Sequence, residues 1–554
     1  MTNYIFGHII DVWLVGDGVL KAVVYGEPFL RRCFMKTKRW LKIIAAGMSA
    51  AMFCLFFGCG GNTGSRYPYY YDGESYRYTE DGNYRYDEII ENDFSLAAEN
   101  NESTFSLDRN TASYSLMRAQ INDGLKIAEN SVRIEEYVNY FDYDYKKPTN
   151  GDALAISGTL IDCPWNGENK LLTLGIAAEE LDFSAEKQNN LVFLLDVSGS
   201  MDMPDRLPLV QQAFAMLTQN LNDNDFVSIV TYASGTEIRA DGLRGNEKVR
   251  ISNILQDITA GGYTAGASGI NLAYKTAEKY FIKGGNNRVI LATDGDFNVG
   301  ISNTDDLKKF ISERRDKGIY LSVMGFGMGN TRDDVMETLA NSGNGNYGYI
   351  DTITEARKML VEEMGGTFNV VAKDAKINVA FDKENVEKFR LIGYENKMIS
   401  KEEFEDEKTD AGEIGSGHTV TAVYEIKLKN GASGEVAQAE IRYKKPGETA
   451  EKDIFASVKE SFSTDIYSSQ PTADAAFIAC VTEYGLLLRN SAYKGNASFS
   501  SVIARLKENK TVHTEQSAGE DEKALVNPFR AEFLQIAEKA ANLYESKKSQ
   551  SEKA

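Results

Sequence analysis

The chain has 554 residues, which is too long for one hydrophobic core and predicts several folded domains. Its formal net charge of −20 opposes binding to nucleic acids and to anionic lipid headgroups, because both attract basic surfaces. Five cysteines and three histidines, scattered without ligand spacing, exclude a disulfide framework and a cysteine-based metal site. We expect Cys163 and Cys480 to be buried as small hydrophobic side chains, without a bridge between them.

Residues 35–58 have the pattern of an export signal. A basic stretch, "MKTKRWLK", precedes the apolar run "IIAAGMSAAMFCLFFG", which is short for a membrane span. Cys59 follows directly and resembles the lipidated cysteine of a bacterial lipobox, with ordinary cleavage or an uncleaved anchor as the alternatives. Residues 1–34 fit no export signal, so we expect translation to start at Met35. Lipidation would place the protein on the extracytoplasmic side of the cell membrane or outer membrane.

The region after the export signal is predicted to contain a tether and two small folded segments. Residues 59–102 are low in complexity, with eight tyrosines in the stretch "YPYYYDGESYRYTEDGNYRY", and we expect a disordered spacer. Residues 103–147 have the pattern of a small helical module. Residues 148–188 have the pattern of strands, broken at "CPWNGENK".

Strand-like and helical patterns alternate from residue 189 to residue 366. This order predicts an α/β domain with a doubly wound, mostly parallel sheet that helices cover on both faces. The apolar strand-like runs are 191–196, 226–232, 287–293 and 319–326. The helical patterns are 207–221, 247–257, 268–282, 304–316 and 333–341.

The remainder of the chain is predicted to be β-rich and then helical. Residues 367–465 are β-rich, with a hairpin at 419–443 across a "KNGASG" turn. Residues 466–546 are helical, with Asn527-Pro528 starting the last helix, and 547–554 form a disordered tail. Neither this hairpin nor the strands before residue 189 close a core alone. We therefore expect the α/β domain to be inserted into a flanking β-sandwich.

The first strand of the α/β domain, in "LVFLLDVSGSM", ends in a carboxylate and two hydroxyls: Asp196, Ser198 and Ser200. Two later stretches add oxygen donors, Thr264 in "GGYTAGAS" and Asp294 in "RVILATDGDFN". Ligand sites in such sheets lie at the carboxyl ends of the strands, so we expect these side chains to converge. A set of oxygen donors without His or Cys suits Mg²⁺, Mn²⁺ or Ca²⁺ and does not suit Zn²⁺.

Each of these residues also has a purely structural interpretation. Ser198 and Ser200 could cap the following helix, and Asp294 could belong to an ordinary turn. Their combination in one α/β frame favours the metal interpretation. Asp202 and Asp296 are further carboxylates near the site, and solvated surface charge is the role we expect for them.

The pattern D-x-S-x-S after a strand, a later Thr in a glycine-flanked loop and a strand-end T-D-G resembles the metal-ion-dependent adhesion site of von Willebrand factor type A domains. The resemblance implies that Ser198, Ser200 and Thr264 contact the cation directly or through water. It further implies that Asp196 and Asp294 mostly hold the waters of the cation. The sixth position would be left for a carboxylate from a partner.

The segments on either side of this domain resemble a second pattern. "STFSLDRNTASY", "VRIEEYVNYFDYDY", "PWN" and "FIACVTEYGLLLRNSAYKG" resemble a bacterial family of type A lipoproteins with additional N- and C-terminal modules. That family has no assigned biochemical role.

One departure from the type A pattern is Tyr263, which stands before Thr264 where small residues are common.

The resemblance implies a non-enzymatic binding module, in which the metal captures a carboxylate of a protein partner. The alternative is a metal-dependent hydrolase that uses the same cation to activate water. A phosphatase of the haloacid dehalogenase type would need a second Asp where Ser198 stands. The sequence has no G-x-x-x-x-G-K-[ST] loop, no G-x-S-x-G elbow around these serines and no histidine near the motifs, so binding is favoured. A chaperone-like partner of an ATPase fits intracellular type A domains, and the export signal argues against it.

Overall fold

The computed structural model describes most of the chain and leaves gaps between the described ranges. These ranges are 2–5, 8–15, 19–24, 86, 88–181, 188–263, 266–295, 304–328, 333–363, 366, 369–446, 454–512 and 527–545. Six features discussed above lie outside them: the export signal at 35–58, Cys59, residues 60–85 of the predicted tether, Thr264, Asp296 and the tail at 547–554.

The chain divides into two compact units, residues 1–77 and residues 78–554. The first unit contains an antiparallel sheet in the order β1-β2-β3, formed by Thr2–Ile5, His8–Val15 and Val19–Val24. The second unit contains the regions for which a fold and a site are predicted. Within the described residues, no helix is both long enough and apolar enough to cross a membrane.

Strands and helices of the second unit are numbered in chain order. The strands are β4 (Ser95–Leu96), β5 (Glu102–Ser106), β6 (Leu154–Asp162), β7 (Lys170–Ala178), β8 (Asn189–Asp196), β9 (Phe226–Tyr232), β10 (Thr236–Arg244), β11 (Asn286–Thr293), β12 (Ile319–Phe326), β13 (Tyr347–Ile350), β14 (Val370–Phe381), β15 (Val386–Ile392), β16 (Gly412–Gly415), β17 (Thr419–Leu428), β18 (Glu435–Lys445) and β19 (Ile454–Ser463). The helices are α1 (Ala112–Asn122), α2 (Ile134–Asn139), α3 (Leu207–Gln219), α4 (Lys248–Gln256), α5 (Gly266–Lys279), α6 (Thr304–Arg315), α7 (Asp333–Ser342), α8 (Ile353–Arg357), α9 (Lys401–Glu405), α10 (Ala473–Leu488), α11 (Phe499–Glu508) and α12 (Pro528–Glu545).

The α/β domain is built on a sheet with the strand order β10-β9-β8-β11-β12-β13. All neighbours are parallel except the edge strand β10, which is antiparallel to β9. Alternate side chains of β8 enter two hydrophobic cores, with Leu191, Phe193 and Leu195 on one face and Val192 and Leu194 on the other. The predicted fold class is therefore confirmed.

Strand β10 is not predicted by the sequence pattern. Most of its side chains are exposed, and the sequence "TEIRADGLR" has no continuous apolar run or regular alternation. An edge strand needs to bury only a few side chains, so hydrophobicity signals it weakly.

The strands outside the α/β domain form a β-sandwich into which that domain is inserted. One sheet has the order β4-β15-β17-β7-β6, and the other has β16-β14-β18-β19 with β5 paired to β14. Strands β6 and β7 precede the α/β domain, yet β7 pairs with β17, which follows it. Their facing side chains share one hydrophobic core. The predicted insertion is confirmed.

The predicted hairpin at 419–443 is wrong. Both strands exist, but β17 pairs with β15 and β7, while β18 pairs with β14 and β19 in the opposite sheet. The "KNGASG" segment therefore connects two sheets. Alternation of apolar side chains shows that one face of a strand is buried, and it does not identify the strand that pairs with it.

Two segments near the N-terminus of the second unit also differ from expectation. Residues 88–102, expected to belong to the tether, pack on the sandwich: the Asn92 side chain donates to two backbone carbonyls, and Ala97 is buried. Glu102–Ser106, at the start of the predicted helical module, form β5. In β5, the Phe105 side chain enters the sandwich core. The segment pairs with β14 as a strand and does not form the predicted helix.

Helices α1, α2, α10, α11 and α12 form an aromatic core together with side chains from β6, β7, β15 and β17. Phe141, Phe477 and Phe533 meet there edge to face, at centroid distances from 4.8 to 5.7 Å. Cys163 and Cys480 are buried in the same core without a disulfide, as expected. Burial raises the pKa of the Cys163 thiol to about 12 and that of Cys480 to about 11.

A buried ion cluster, here called the Arg118 cluster, joins this helical module to the α/β domain. It consists of Arg118, Tyr140, Asp351, Glu355 and Glu532. The guanidinium of Arg118 donates to Asp351 at 2.5 and 2.8 Å, to Glu355 at 2.8 Å and to Glu532 at 3.2 Å. The Arg118 side chain is 1% exposed, so solvent screens these contacts very little.

Replacing Arg118 by Ala leaves Asp351 and Glu355 without their shared counter-charge in a buried place. We therefore expect a loss of about 3–5 kcal/mol in the free energy of unfolding, measured by denaturant titration. Arg250→Ala is the matched control, because Arg250 is 65% exposed and pairs only at the surface. It should change stability by less than about 0.5 kcal/mol. Equal losses in the two variants would contradict a dominant role for burial.

Candidate metal site at the carboxyl edge of the sheet

Asp196 is the last residue of β8 and lies fully buried at the carboxyl edge, the edge where the parallel strands of the α/β domain end. Its Oδ1 accepts a hydrogen bond from the Ser198 backbone N–H at 2.9 Å. Its Oδ2 accepts from the hydroxyls of Tyr232 and Thr293, each at 3.2 Å. Tyr232 ends β9 and Thr293 ends β11, so three adjacent strands deliver these groups to one point.

Burial raises the pKa of the Asp196 carboxyl to about 6. Hydrogen bonds from Ser198 and Thr293 oppose this rise, and the nearby charge of Asp294 adds to it. The ionised form of Asp196 is thus incompletely compensated by the protein alone, which is the electrostatic setting that a cation would relieve.

Ser198 and Ser200 lie in a single 3₁₀ turn that follows β8, Gly199–Met201 with Ser198 at its start. Their Oγ atoms are 3.0 Å apart, close enough to face one ion together. Gly199 N–H donates to the carbonyl of Gly262 at 3.0 Å, and Gly261 N–H donates to the carbonyl of Val197 at 2.7 Å. These two bonds fix the glycine loop against the serine turn.

The glycine loop brings the chain to the position of the predicted threonine. Gly262 has φ +90°, and a Cβ there would lie 2.6 Å from the Ser234 Oγ, so no other residue fits without a shift. The Ser234 hydroxyl also accepts from the Tyr263 backbone N–H at 2.8 Å. Tyr263 is the last described residue before Thr264, and its side chain is 88% exposed.

Asp294 follows β11 and is buried at the same edge, where it forms an ion pair with Arg206 at 2.6 Å. The other contacts of the Arg206 guanidinium are to the backbone carbonyls of Ser200 at 2.7 Å and Met328 at 2.8 Å. The sequence motif does not predict this residue. One available signal is its place at the N-cap of α3, where a positive charge opposes the helix dipole and needs a counter-charge.

The structure therefore brings together four of the five predicted metal-site residues: Asp196, Ser198, Ser200 and Asp294. Their oxygen atoms fit Mg²⁺, Mn²⁺ or Ca²⁺, which prefer carboxylate, hydroxyl and water ligands. Among the described side chains, no group of three or more His, Cys, Asp or Glu forms a metal-binding cluster. The set found here combines two carboxylates with hydroxyls.

Family models match three parts of the chain. A von Willebrand factor model matches residues 80–173, the von Willebrand factor type A domain model matches 190–362, and a model described as the C-terminal part of the uncharacterized protein YfbK matches 366–434 and 427–543.

Related proteins and solved structures are similar to this chain, among them the following three. The uncharacterized protein YfbK of Escherichia coli (strain K12) is 36% identical over 482 residues, which cover 83% of this chain and 81% of YfbK. The uncharacterized protein sll0103 of Synechocystis sp. is 28% identical over 207 residues, covering 37% of this chain and 47% of its own length. A von Willebrand factor type A structure from Catenulispora acidiphila aligns with a TM-score of 0.37 and 15% identity, covering 70% of this chain and 95% of its own.

Asp196→Asn should abolish cation binding and make the metal-free protein more stable at neutral pH. In the unfolded chain the Asp196 pKa is about 3.9. In the folded protein the pKa of Asp196 is about 6. Ionisation of Asp196 therefore lowers the free energy of unfolding progressively as the pH rises from the unfolded-state pKa to the folded-state pKa. Above the folded-state pKa the full penalty is present. The amide removes this penalty, about 1–3 kcal/mol, and denaturant titrations of both proteins across that window measure it.

Asp202→Asn is the matched control, since Asp202 is an exposed carboxylate in the following loop. It should leave both cation binding by calorimetry and stability unchanged. Undiminished cation affinity in Asp196→Asn would refute the metal site, and lower stability would refute the electrostatic penalty.

Proposed function

Since this chain belongs to the family of the Escherichia coli protein YfbK and contains a von Willebrand factor type A domain, we propose that it is a divalent-cation-dependent binding module. The cation, Mg²⁺ or alternatively Mn²⁺ or Ca²⁺, would be held at the carboxyl edge and would capture a protein partner through an Asp or Glu carboxylate. The observation that carries this proposal is the convergence of the Asp196, Ser198, Ser200 and Asp294 side chains at one edge.

Exposed apolar side chains beside the site support a protein as the partner. The Tyr263 side chain is 88% exposed next to the glycine loop, and that of Met203 is 46% exposed three residues after Ser200. Aromatic residues and methionine are enriched at protein interfaces, where they supply contact area that a metal–carboxylate bond alone lacks. Thr264 would complete the ligand set and approach the cation when the partner binds.

One observation favours the alternative of a metal-dependent hydrolase. A pKa of about 6 suits a general base, and Asp196 has this value. Its two oxygens, however, accept hydrogen bonds from Ser198, Tyr232 and Thr293, and the side chain is buried away from an incoming substrate. These contacts suit an acid that orients the site, and we therefore favour binding over catalysis.

We further propose that Cys59 is lipidated and anchors the protein on the extracytoplasmic side of the cell membrane or outer membrane. The support is the basic and apolar sequence before Cys59. The tyrosine-rich residues after it would extend the binding module away from the lipid surface.

Capture of the partner should require both the cation and the exposed side chain of Tyr263. In pull-downs from solubilised cell envelopes in Mg²⁺, the wild-type protein should retain a partner that EDTA releases. Tyr263→Ala should reduce this retention at least about tenfold, within the range of interface hot spots, while calorimetry shows unchanged Mg²⁺ affinity. Val249→Ala, an exposed apolar position on α4, is the control and should retain the partner fully. Retention that is insensitive to EDTA would refute the cation-dependent mechanism.

Cys59→Ser should move the protein from the membrane fraction to the soluble fraction. The same variant should lose labelling by a fatty-acid analogue, because the thiol that carries the lipid is absent. Cys54→Ser, in the apolar segment before the cleavage position, should behave as the wild type. If Cys59→Ser stays labelled and membrane-bound, the anchor lies elsewhere.

A further inference from the structure

We propose that Arg206 sets the charge of the metal site so that the bound cation attracts the carboxylate of a partner. The inference rests on the proposed function, because it concerns a cation at the carboxyl edge. It assigns a role in partner recognition to a residue that lies outside the type A motif.

The contacts of Arg206 place its positive charge inside the site. Its guanidinium pairs with Asp294 at 2.6 Å and also donates to the Ser200 carbonyl, so it lies between two of the segments that supply metal ligands. A third bond, to the Met328 carbonyl, holds the group from the side of β12. The side chain is 11% exposed and that of Asp294 is fully buried, so this pair is little screened by solvent.

Charge balance explains what this arrangement does. A divalent cation between the ionised Asp196 and Asp294 would form a neutral site, with little attraction for another anion. Arg206 compensates Asp294, which leaves about one positive charge to attract the partner's carboxylate. A carboxylate has enough lone pairs for two partners, so pairing of Asp294 Oδ2 with Arg206 is compatible with a role toward the cation or its waters.

The packing of Arg206 argues for a fixed position. A Cβ on Gly327 would lie 2.3 Å from the Arg206 Nε, so the side chain rests directly on that glycine. Placing a guanidinium at the N-cap of α3 is unfavourable for the helix. Arg206 is therefore held in place by its contacts with Asp294 and the two carbonyls, and not by a favourable interaction with the helix.

The test compares the wild-type chain with Arg206→Gln and Arg206→Lys, using Mn²⁺ as the cation and acetate as the carboxylate. Calorimetry measures Mn²⁺ affinity, and the relaxation of water protons by bound Mn²⁺ measures displacement of its water by acetate. Arg250→Gln is the control, because it removes one positive charge from the first turn of α4. This helix begins after β10, which is antiparallel to β9 and ends at the edge of the sheet opposite the candidate site.

We expect Arg206→Gln to bind Mn²⁺ about tenfold more tightly and acetate about tenfold more weakly than the wild type. Arg206→Lys should lie closer to the wild type than to Arg206→Gln in both measurements, because the positive charge is kept. Without metal, Arg206→Gln should also unfold at a lower temperature than the wild type, and excess Mn²⁺ should narrow this difference. Arg250→Gln should match the wild type throughout.

Three results would overturn the inference. If Arg206→Gln strengthens both Mn²⁺ and acetate binding, Arg206 is a competitor that the cation displaces. Unchanged affinities would show that its charge has no effect on the site. If Arg206→Lys departs from the wild type in the same way as Arg206→Gln, the hydrogen bonds of the guanidinium matter and its charge does not. The same conclusion follows if Arg206→Gln does not fold and Arg206→Lys departs from the wild type. A wild-type chain that binds no Mn²⁺ would instead refute the proposed function.

Discussion

The guanidinium of Arg118 is the point at which buried charge joins the helical module to the α/β domain. It lies on α1 and pairs with the buried side chains of Asp351 and Glu355 of the α/β domain and with the partly exposed Glu532 of α12. A second buried group, in which Arg109 and Lys358 compensate Glu363, joins the same two regions. Buried charges of this kind are costly to separate, so the modules are held in one arrangement by electrostatics as well as by apolar packing.

The same sheet edge carries both this junction and the candidate metal site. Asp351 directly follows β13 at the carboxyl edge, just as Asp196 ends β8 and Asp294 follows β11. Between them, Arg206 reaches the Met328 carbonyl after β12. Parallel strands deliver all of their following loops to one edge, and here those loops serve two purposes: the outer strand attaches the domain to its neighbours, and the central strands build the site.

The local patterns of the sequence predicted the α/β domain and the convergence of four site residues. Convergence was predictable because the carboxyl ends of parallel strands lie at the same edge of a sheet. The partner of each individual strand and the residues that form ion pairs were not predictable in this way. The strands on either side of "KNGASG" looked like a hairpin, although they belong to opposite sheets. Arg206 is remote in sequence from Asp294, so only the folded structure shows that their charges meet.

Buried carboxylates in this protein differ in how well their surroundings compensate them. Glu425 in the sandwich accepts from Trp165 and Asn169 and pairs with Arg390, which gives the "PWN" segment a structural role. Arg109 and Lys358 hold the pKa of Glu363 well below its usual range, despite the burial that would raise it. Asp196 faces hydroxyls and another acid, and its pKa is raised. Under the proposed function, a cation held at this position would supply the compensation that the surroundings of Asp196 lack.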